Sequence, residues 1–391
     1  MDFEFTAEQN AFRQEVRGFL EDEIKNVAFR PMCDGWIKGF SPDFSKKIAV
    51  KGWLGVTWSQ KYGGLGRSHV DRFILTEEIL RHGAPAAYHW VAEWQIGRVI
   101  YTLGTPEQKQ EMLPKILKGE VCFGLGMSEP GAGSDLASLK TRAVEDGDYY
   151  IINGQKMWTS SASHVTHIYL MARTDPAAPK QKGISNFIID RATPGVTIRP
   201  TIDMTGVEAW GEVFLDNVRV HKKNLVGEKN RGFYYVLNQL DYERVGMEWL
   251  MGNYPLFEAI IRFSKETKRN GKPISEDHLI RNRLAQLQVE FEVGRLLMYR
   301  AAQVMDKGKA PNVEAAIAKP FCNSFEKHLA GTAVDILGLY GQLSEESKFA
   351  PLMGMAPQSL LAAKGASLQG GTDEVLKGIV ATHGLGMPSA A

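Results

Sequence analysis

Glu243 is the residue whose position in the sequence most directly suggests chemistry. Val236, Leu240, Met247 and Leu250 recur at heptad-like spacing and form an apolar stripe, and Glu243 falls on that stripe. A carboxylate on a core-facing line is costly unless it is paired or has a function. The pattern alone favours a buried salt bridge or a glutamate at a helix edge. The functional interpretation is a general base that burial makes more basic.

The stretch FGLGMSEPGAGSD, which begins at Phe123, combines a predicted strand with a turn made largely of glycine and other small residues. Phe123, Leu125 and Met127 alternate with period two, which indicates that one face of the segment is buried. The dipeptide Pro130-Gly131 then breaks the strand. Exposed N–H groups in such a backbone suit a turn, and they equally suit a flat or anionic ligand that lies against the chain. The local pattern leaves both interpretations open.

Two further segments could contact a cofactor. Trp158 and Ser160 lie in the run KMWTSS, where an indole beside hydroxyl groups could form the wall of a flat site. Such a Trp is more often part of the core. The run QGGTDEV predicts a glycine turn into a helix with Thr372 as its N-cap. A helix start behind two glycines can receive an anion, but ordinary capping explains the same residues.

Several well-known catalytic patterns are absent from the sequence. It contains no HExxH or paired-histidine spacing, so the pattern indicates no metal site, and His164 and His167 are weak metal candidates. It also contains no G-x-S-x-G, P-loop or G-x-G-x-x-G motif. A Rossmann or nucleotidyl-transfer enzyme is therefore disfavoured.

Composition narrows the class of protein. Among 391 residues, Lys and Arg number 46 and Asp and Glu number 45, so no basic excess indicates a nucleic-acid partner. The three cysteines, Cys33, Cys122 and Cys322, are far apart and odd in number, which argues against a disulfide framework. The first residues do not resemble a signal peptide, and no apolar run reaches membrane-spanning length. These features predict a cytoplasmic protein without a membrane partner.

The residue pattern along the chain changes from helical to strand-like and back to helical, which predicts an α+β multidomain fold. We expect a helical domain over residues 1–120, a β domain over 121–230 and a helical domain over 231–391. The helical segments include one that Thr6 caps and one that Pro106 begins, and a long C-terminal helix with Ser275 as its expected N-cap. Within the β domain, Asn153-Gly154 predicts the turn of a hairpin.

Taken together, the blocks of this sequence resemble the acyl-CoA dehydrogenase family from end to end. The blocks include GTPEQKQEMLPKILKGE, GMSEPGAGSDLASLKT, INGQKMWTSSA, LDYERV and GGTDEVLKGIVATHGLGMP, in that order. The resemblance implies an N-terminal helical domain, a middle β-barrel or sandwich domain and a C-terminal four-helix bundle. It also implies FAD and oxidation of an acyl-CoA thioester to the 2,3-enoyl-CoA, with hydride transfer to flavin N5. Electron-transferring flavoprotein would accept the electrons, and the oligomer would be a homodimer or homotetramer.

The same resemblance assigns roles to individual residues. Many family members carry the catalytic glutamate just before the C-terminal Gly-Thr, where this chain has Gly370. A minority place it in a Leu-Asp-x-Glu-Arg context, which LDYER matches at Glu243. We therefore expect Glu243 to be the base and the Gly370 N–H to bind the substrate carbonyl. Arg244 is expected at the substrate site in a structural role, where it would orient the substrate loop. Ser134 would meet the CoA portion, and the residues expected to bind FAD are Leu125, Met127, Ser128, Trp158, Ser160, Gly371, Thr372 and Glu374.

One departure from the family pattern keeps alternatives open. The family usually shows Arg-x-Gln-Phe-Gly, whose Arg and Phe hold the FAD of a neighbouring subunit, but this chain has Thr267 and Asn270 there. Lys268 or Arg269 could substitute for the Arg, although such a change is not conservative at a phosphate. The chain could instead be one subunit of a heteromeric enzyme, or a non-catalytic partner subunit. A flavin oxidase or monooxygenase of the same fold is a further alternative.

Overall fold

The computed structural model describes residues 3–388, which form helices toward both ends of the chain and strands between them. The outer limits of the predicted domains, residues 1 and 391, lie outside this range. The α-helices are α1 (Ala7–Lys25), α2 (Pro42–Val50), α3 (His69–Arg81), α4 (Ala87–Trp90), α5 (Arg98–Leu103), α6 (Pro106–Leu117), α7 (Gly232–Glu243), α8 (Glu248–Met251), α9 (Tyr254–Glu266), α10 (His278–Asp306), α11 (Asn312–Leu337), α12 (Met355–Ala366) and α13 (Asp373–Ile379). The predicted α+β class is confirmed.

The strands lie mostly between Phe123 and Val226. They are β1 (Phe123–Gly126), β2 (Arg142–Asp146), β3 (Tyr149–Ser160), β4 (His167–Arg173), β5 (Ile184–Asp190), β6 (Val196–Thr201), β7 (Trp210–His221), β8 (Leu225–Val226), β9 (Lys268–Arg269) and β10 (Lys272–Pro273). Seven of the first eight strands follow the order β6-β7-β3-β2-β4-β5-β8 in one mixed sheet, and β1 pairs in parallel with β4. β9 and β10 form a separate hairpin.

Contacts divide the chain into two compact units. The helical unit consists of the chain up to Trp36, His69–Ala84 and the chain from Arg244 onward. The mixed unit consists of Ile37–Ser68 and Pro85–Glu243. The three domains predicted along the sequence stay a prediction.

In the helical unit, α1 and α3 pack together, α3 and α11 pack on α10, and α12 packs on α11. Four aromatic side chains, Tyr254, Phe257, Phe291 and Phe325, meet in its core with ring centroids 5.1–6.0 Å apart. None of the helices in the described range is long and apolar enough to cross a membrane.

The mixed unit has two apolar clusters. One includes Val91, Ile96, Met127 and Val236, with Leu125, Phe233 and Leu240 packed against it. The other lies around the central strands and includes Ile152, Leu170, Phe187, Val213 and Val218. The first cluster joins α7 to β1 and to a seven-residue π-helix, Val91–Gly97, which follows α4.

Helix starts follow their sequence signals closely. Thr6 and Thr105 each accept a hydrogen bond from the backbone N–H of the third residue of their helix, which is a Gln in both cases. The side-chain oxygen of that Gln accepts in turn from the backbone N–H of the cap residue. The expected N-cap at Ser275 is wrong: Ser275 lies in a 3₁₀ turn, and Asp277 caps α10 by accepting from Leu279 N at 2.8 Å. Both residues carry a short acceptor side chain, so local chemistry does not separate them.

The hairpin predicted at Asn153-Gly154 is also wrong. β3 runs through both residues, and the turn between β2 and β3 lies at residues 147–148, where Gly147 has φ +55°. Asn153-Gly154 instead marks a bulge, because the register of β3 on β7 shifts between Ile152 and Gly154. Bulges and hairpins both favour glycine, and an added Cβ at Gly154 would lie 2.4 Å from Thr141 Oγ1.

Candidate functional site

The ends of β1 and β3 place four predicted cofactor residues side by side in the mixed unit. The Thr159 hydroxyl donates to the carbonyl of Leu125 at 3.1 Å, and the N–H of Met157 donates to the carbonyl of Ser128 at 3.0 Å. These two bonds bring the segment from Leu125 through Met127 to Ser128 next to Trp158. Ser160, at the end of β3, lies beside Gly124, whose added Cβ would be 3.2 Å from the Ser160 carbonyl.

Trp158 is held in an unusual way for an aromatic residue. Its φ is +60°, it lies where the register of β3 on β7 shifts between Lys156 and Thr159, and it is 55% exposed. A bulky residue at positive φ is strained, and such strain persists where the surrounding structure imposes it. The interpretation of Trp158 as an ordinary core residue is therefore wrong, because the bulge turns its indole outward beside Leu125 and Ser128.

A buried ion pair that the sequence analysis missed holds the loop after β1. The Lys156 ammonium, which is fully buried, donates to Glu129 Oε1 at 2.8 Å and to the Met127 carbonyl at 3.0 Å. The Glu129 carboxylate also accepts the N–H groups of Lys140 at 2.6 Å and Thr141 at 2.8 Å. The pair thus ties the loop to β3. A signal was available, because Lys156 has the same parity in β3 as buried Tyr150 and Ile152.

The pKa values of this pair have identifiable causes. Burial alone would raise the pKa of Glu129, but Lys156 and hydrogen bonds from Thr141 and Lys140 together lower it below the usual value. Burial lowers the pKa of Lys156 to about 8, and Glu129 opposes part of that shift. Both groups are therefore charged at neutral pH.

Ser134 lies in an exposed part of the same loop. The backbones of Glu129 and Ala132 exchange two hydrogen bonds of 3.0 and 3.1 Å, which closes the turn predicted at Pro130-Gly131. Next to Ser134, Asp135 accepts from Lys180 Nζ at 2.9 Å. The Ser138 hydroxyl and Lys180 hold the pKa of Asp135 below its usual value. Ser134 is thus presented on a fixed turn with a lysine nearby.

Glu243 is buried at the last position of α7 and is 9% exposed. The apolar stripe predicted through this region does not lie on one helix, because α7 ends at Glu243 and α8 begins at Glu248. Gly246 lies between them, and an added Cβ there would collide with the Glu248 carboxylate. On α7 itself, Val236 and Leu240 do belong to the apolar cluster that contains Met127 and Leu125. Glu243 therefore ends a helix that packs against two of the residues predicted to bind the cofactor, Leu125 and Met127.

The remaining predicted residues lie together in the helical unit. Arg244 is buried, and its Nε donates to the carbonyl of Gly370 at 2.9 Å. The Lys319 ammonium, also fully buried, lies 3.2 Å from the carbonyl of Ala366 and 3.3 Å from that of Gly371. Two buried cations thus hold the glycine turn before α13 through its carbonyl groups. Gly370 has no side chain with which to act as a base.

The start of α13 agrees with its sequence signal. Thr372 caps the helix by accepting from Val375 N at 3.3 Å. Glu374 is exposed in the first turn, where its own backbone N–H and the Thr372 hydroxyl hold its pKa below the usual value. Asn323 donates to Asp373 Oδ1 at 2.9 Å and fixes the same turn from α11.

Replacing Gly371 with Ala should disturb this turn. Gly371 has φ +99°, and an added Cβ would lie 3.0 Å from Arg244 Nη2. We expect a loss of about 1–3 kcal/mol in the free energy of unfolding, measured by urea denaturation. Gly378→Ala is the matched control, because an added Cβ at this helical glycine meets nothing within 4 Å. The control should be neutral or stabilising by about 0.5–1 kcal/mol, and equal losses in both variants would contradict the assigned role of the turn.

A hairpin after α9 occupies the positions where the family resemblance implies an FAD-binding motif. Asn270 and Gly271 have φ +53° and +79° and form the turn between β9 and β10. Lys268 and Arg269 are exposed on β9, and Thr267 caps the end of α9. The position where an aromatic residue is usual is therefore a tight-turn asparagine.

Known proteins resemble this chain over its whole length. Three family models match it: the N-terminal domain (residues 6–120), the middle domain (124–218) and the C-terminal domain (230–385) of acyl-CoA dehydrogenase. Acyl-CoA dehydrogenase FadE26 of Mycobacterium tuberculosis is 32% identical, with each chain covered in full. A solved structure named Tcur3481-Tcur3483 steroid ACAD has a TM-score of 0.90 at 32% identity, with both chains covered in full. The ChsE4-ChsE5 complex of Mycobacterium tuberculosis has a TM-score of 0.88 at 31% identity, with both chains again covered in full.

Proposed function

Because this chain belongs to the acyl-CoA dehydrogenase family, whose members are oxidoreductases, we propose that it oxidises an acyl-CoA thioester to the 2,3-enoyl-CoA with Glu243 as the base. The observation that carries the proposal is the burial of Glu243 at the end of α7, whose apolar face packs with Leu125 and Met127. A carboxylate at such a place is expensive to keep unless it has a function.

The residues of this chain would divide the reaction between them. Glu243 would take the α-proton, and its low exposure would keep water away from the place of proton transfer. The N–H of Gly370 would donate to the thioester carbonyl and stabilise the negative charge that develops there. Arg244 would act indirectly, since it binds the Gly370 carbonyl and so orients that peptide. The β-hydrogen leaves with the electron pair of its C–H bond as the C=C bond forms.

The mixed unit offers a surface that fits FAD, the cofactor that family members use. Trp158 presents an exposed indole from a strained bulge, with Leu125, Met127 and Ser128 alongside. A flat aromatic side chain beside apolar residues and a hydroxyl suits a flavin ring, which is apolar on its faces and polar at its edge. Ser160 belongs to the same proposed set. In the helical unit, Gly371, Thr372 and Glu374 are proposed to bind FAD as well. FAD, when bound, supplies the hydride acceptor.

Removing the indole of Trp158 should weaken FAD binding. Trp158→Asn is the informative variant, because Asn tolerates positive φ and keeps the bulge. We expect the dissociation constant for FAD to rise about fivefold, since an aromatic stack contributes about 1 kcal/mol. Fluorescence titration of the flavin-free protein measures this. Phe349→Ala, which removes another exposed ring, is the control and should leave FAD affinity unchanged.

The proposed reaction can be tested by anaerobic titration of the FAD-loaded protein with short, long, branched and ring-bearing acyl-CoAs. Loss of flavin absorbance with one class would support the dehydrogenase and identify its substrate type. Slow reoxidation in air, with fast reoxidation by electron-transferring flavoprotein, would favour that protein as acceptor over an oxidase or monooxygenase. Failure of every thioester to bleach the flavin would overturn the proposal for the chain acting alone.

A second candidate function is one subunit of a heteromeric acyl-CoA dehydrogenase. The observation that favours it is the tight turn at Asn270-Gly271, which leaves no aromatic residue where the family holds the FAD of a neighbouring subunit. One of the similar solved structures is named as a complex of two proteins, ChsE4 and ChsE5. The flavin content and native mass of the purified chain test this candidate. A homo-oligomer with one FAD per chain would exclude it.

A further inference from the structure

Two buried primary amides lie inside the apolar part of the mixed unit. Gln239 of α7 is 4% exposed and Gln95 of the π-helix is 5% exposed. The Nε2 of Gln239 donates to the Oε1 of Gln95 at 3.4 Å, which is long for a hydrogen bond. The Oε1 of Gln239 is fully enclosed and has no hydrogen-bond partner among the described residues. A buried acceptor without a partner calls for an explanation.

The apolar residues around Gln239 make it costly to bury an amide oxygen without a hydrogen-bond partner. The same two elements contribute Val91, Ala92, Ile96 and Val236 to the apolar cluster that also contains Met127. A leucine or methionine would fill the place of Gln239 without leaving a polar atom unsatisfied. Packing alone therefore does not account for the amide.

Gln239 also lies at a defined place relative to the proposed base. It precedes Glu243 by four residues on α7, so the two side chains lie on the same face of the helix, with Cβ atoms roughly 5–6 Å apart. Next to Glu243, the Tyr242 ring lies 3.4 Å from the Arg98 guanidinium carbon, and Arg98 follows the π-helix directly. This contact ties the π-helix to the end of α7. Single π-helical turns inside α-helices occur frequently at functional sites.

We propose that Gln239, oriented by Gln95, accepts a hydrogen bond from a hydroxyl group on the acyl chain of the substrate. This inference rests on the proposed function, because Glu243 defines where the α-carbon lies. The hydroxyl group would be roughly 5 Å from the α-carbon, which is three to five bonds further along the chain. With Gln239 Nε2 donating to Gln95 Oε1, the Oε1 of Gln239 is the atom left to accept a hydrogen bond. The preferred substrates are therefore hydroxylated acyl-CoAs rather than plain hydrocarbon ones.

The inference can be tested by binding, separately from catalysis. S-octyl-CoA and its 5-, 6- and 7-hydroxy forms are thioethers, which lack the carbonyl that acidifies the α-proton and therefore do not undergo the proposed dehydrogenation. Calorimetry with the FAD-loaded protein gives their dissociation constants. We expect one hydroxylated form to bind about tenfold more tightly than S-octyl-CoA. The preference should disappear in Gln239→Leu and persist in Leu240→Met, a control on the same helix. A preference that is absent from the wild type, or unchanged in Gln239→Leu, would overturn the inference.

The matching acyl-CoA thioesters distinguish this inference from the proposed function. If flavin bleaching occurs but the ratio of kcat/KM for hydroxylated and plain substrates is the same in wild type and Gln239→Leu, the dehydrogenase stands and the hydroxyl site does not. If no thioester bleaches the flavin while the thioethers still show the Gln239-dependent preference, the site stands and the proposed reaction fails. Thermal unfolding of both variants checks that each remains folded.

Discussion

Glu243→Gln should reduce the rate of flavin reduction by an acyl-CoA about 10³-fold, because it removes the only group proposed to take the α-proton. Gln has nearly the same shape as Glu, so the packing at the end of α7 should survive the change. The FAD content should equal that of the wild type, since the proposed cofactor residues lie elsewhere. Anaerobic stopped-flow absorbance with the best substrate measures the rate.

Glu228→Gln is the control for this prediction. Glu228 is an exposed glutamate in the loop before α7, and its neutralisation should leave the rate within a factor of about two. A Glu243→Gln protein that reduces its flavin at the wild-type rate would move the base to another residue. A protein that loses flavin instead would point to a structural role, so the absorbance spectrum before substrate addition is part of the measurement.

Lys156→Met should have the largest effect on stability that we predict. The variant would leave the Glu129 carboxylate buried with only the N–H groups of Lys140 and Thr141 as partners. Breaking one side of a buried ion pair costs about 3–5 kcal/mol, because the remaining charge is uncompensated. We expect a loss of this size in the free energy of unfolding. Urea denaturation followed by circular dichroism measures it.

Two further variants make this prediction specific. The double variant Lys156→Met with Glu129→Gln should lose less stability than the sum of the single changes, since neither charge is then left alone. Lys180→Met breaks the exposed pair with Asp135, whose side chains are both more than half exposed, and should cost less than about 1 kcal/mol. Equal losses for Lys156→Met and Lys180→Met would contradict the role of the buried pair. Because Lys156 also binds the Met127 carbonyl, weaker FAD binding should accompany the loss.

Local signals along the chain predicted much of the secondary structure. The caps at Thr6, Thr105 and Thr372 depend on contacts within three residues, so the sequence contains all of the interacting groups. The predictions at Ser275 and at Asn153-Gly154 were wrong because they also relied on local patterns alone. Each offers a local pattern that two structures share, and the choice between them depends on partners more than 60 residues away or on the packing of the next helix.

By itself, the sequence determined the fold class, the family and the order of helices, strands and helices, because these follow from hydrophobic periodicity and from motifs spread over the whole chain. It also drew attention to Glu243, because this residue is a carboxylate on an otherwise apolar stripe. Only the tertiary structure decided that α7 ends at Glu243, that Trp158 faces outward from a bulge, and that Lys156, Lys319 and Gln239 are buried. The physical reason is that burial and backbone strain depend on what packs against a residue, and these partners are distant in the sequence.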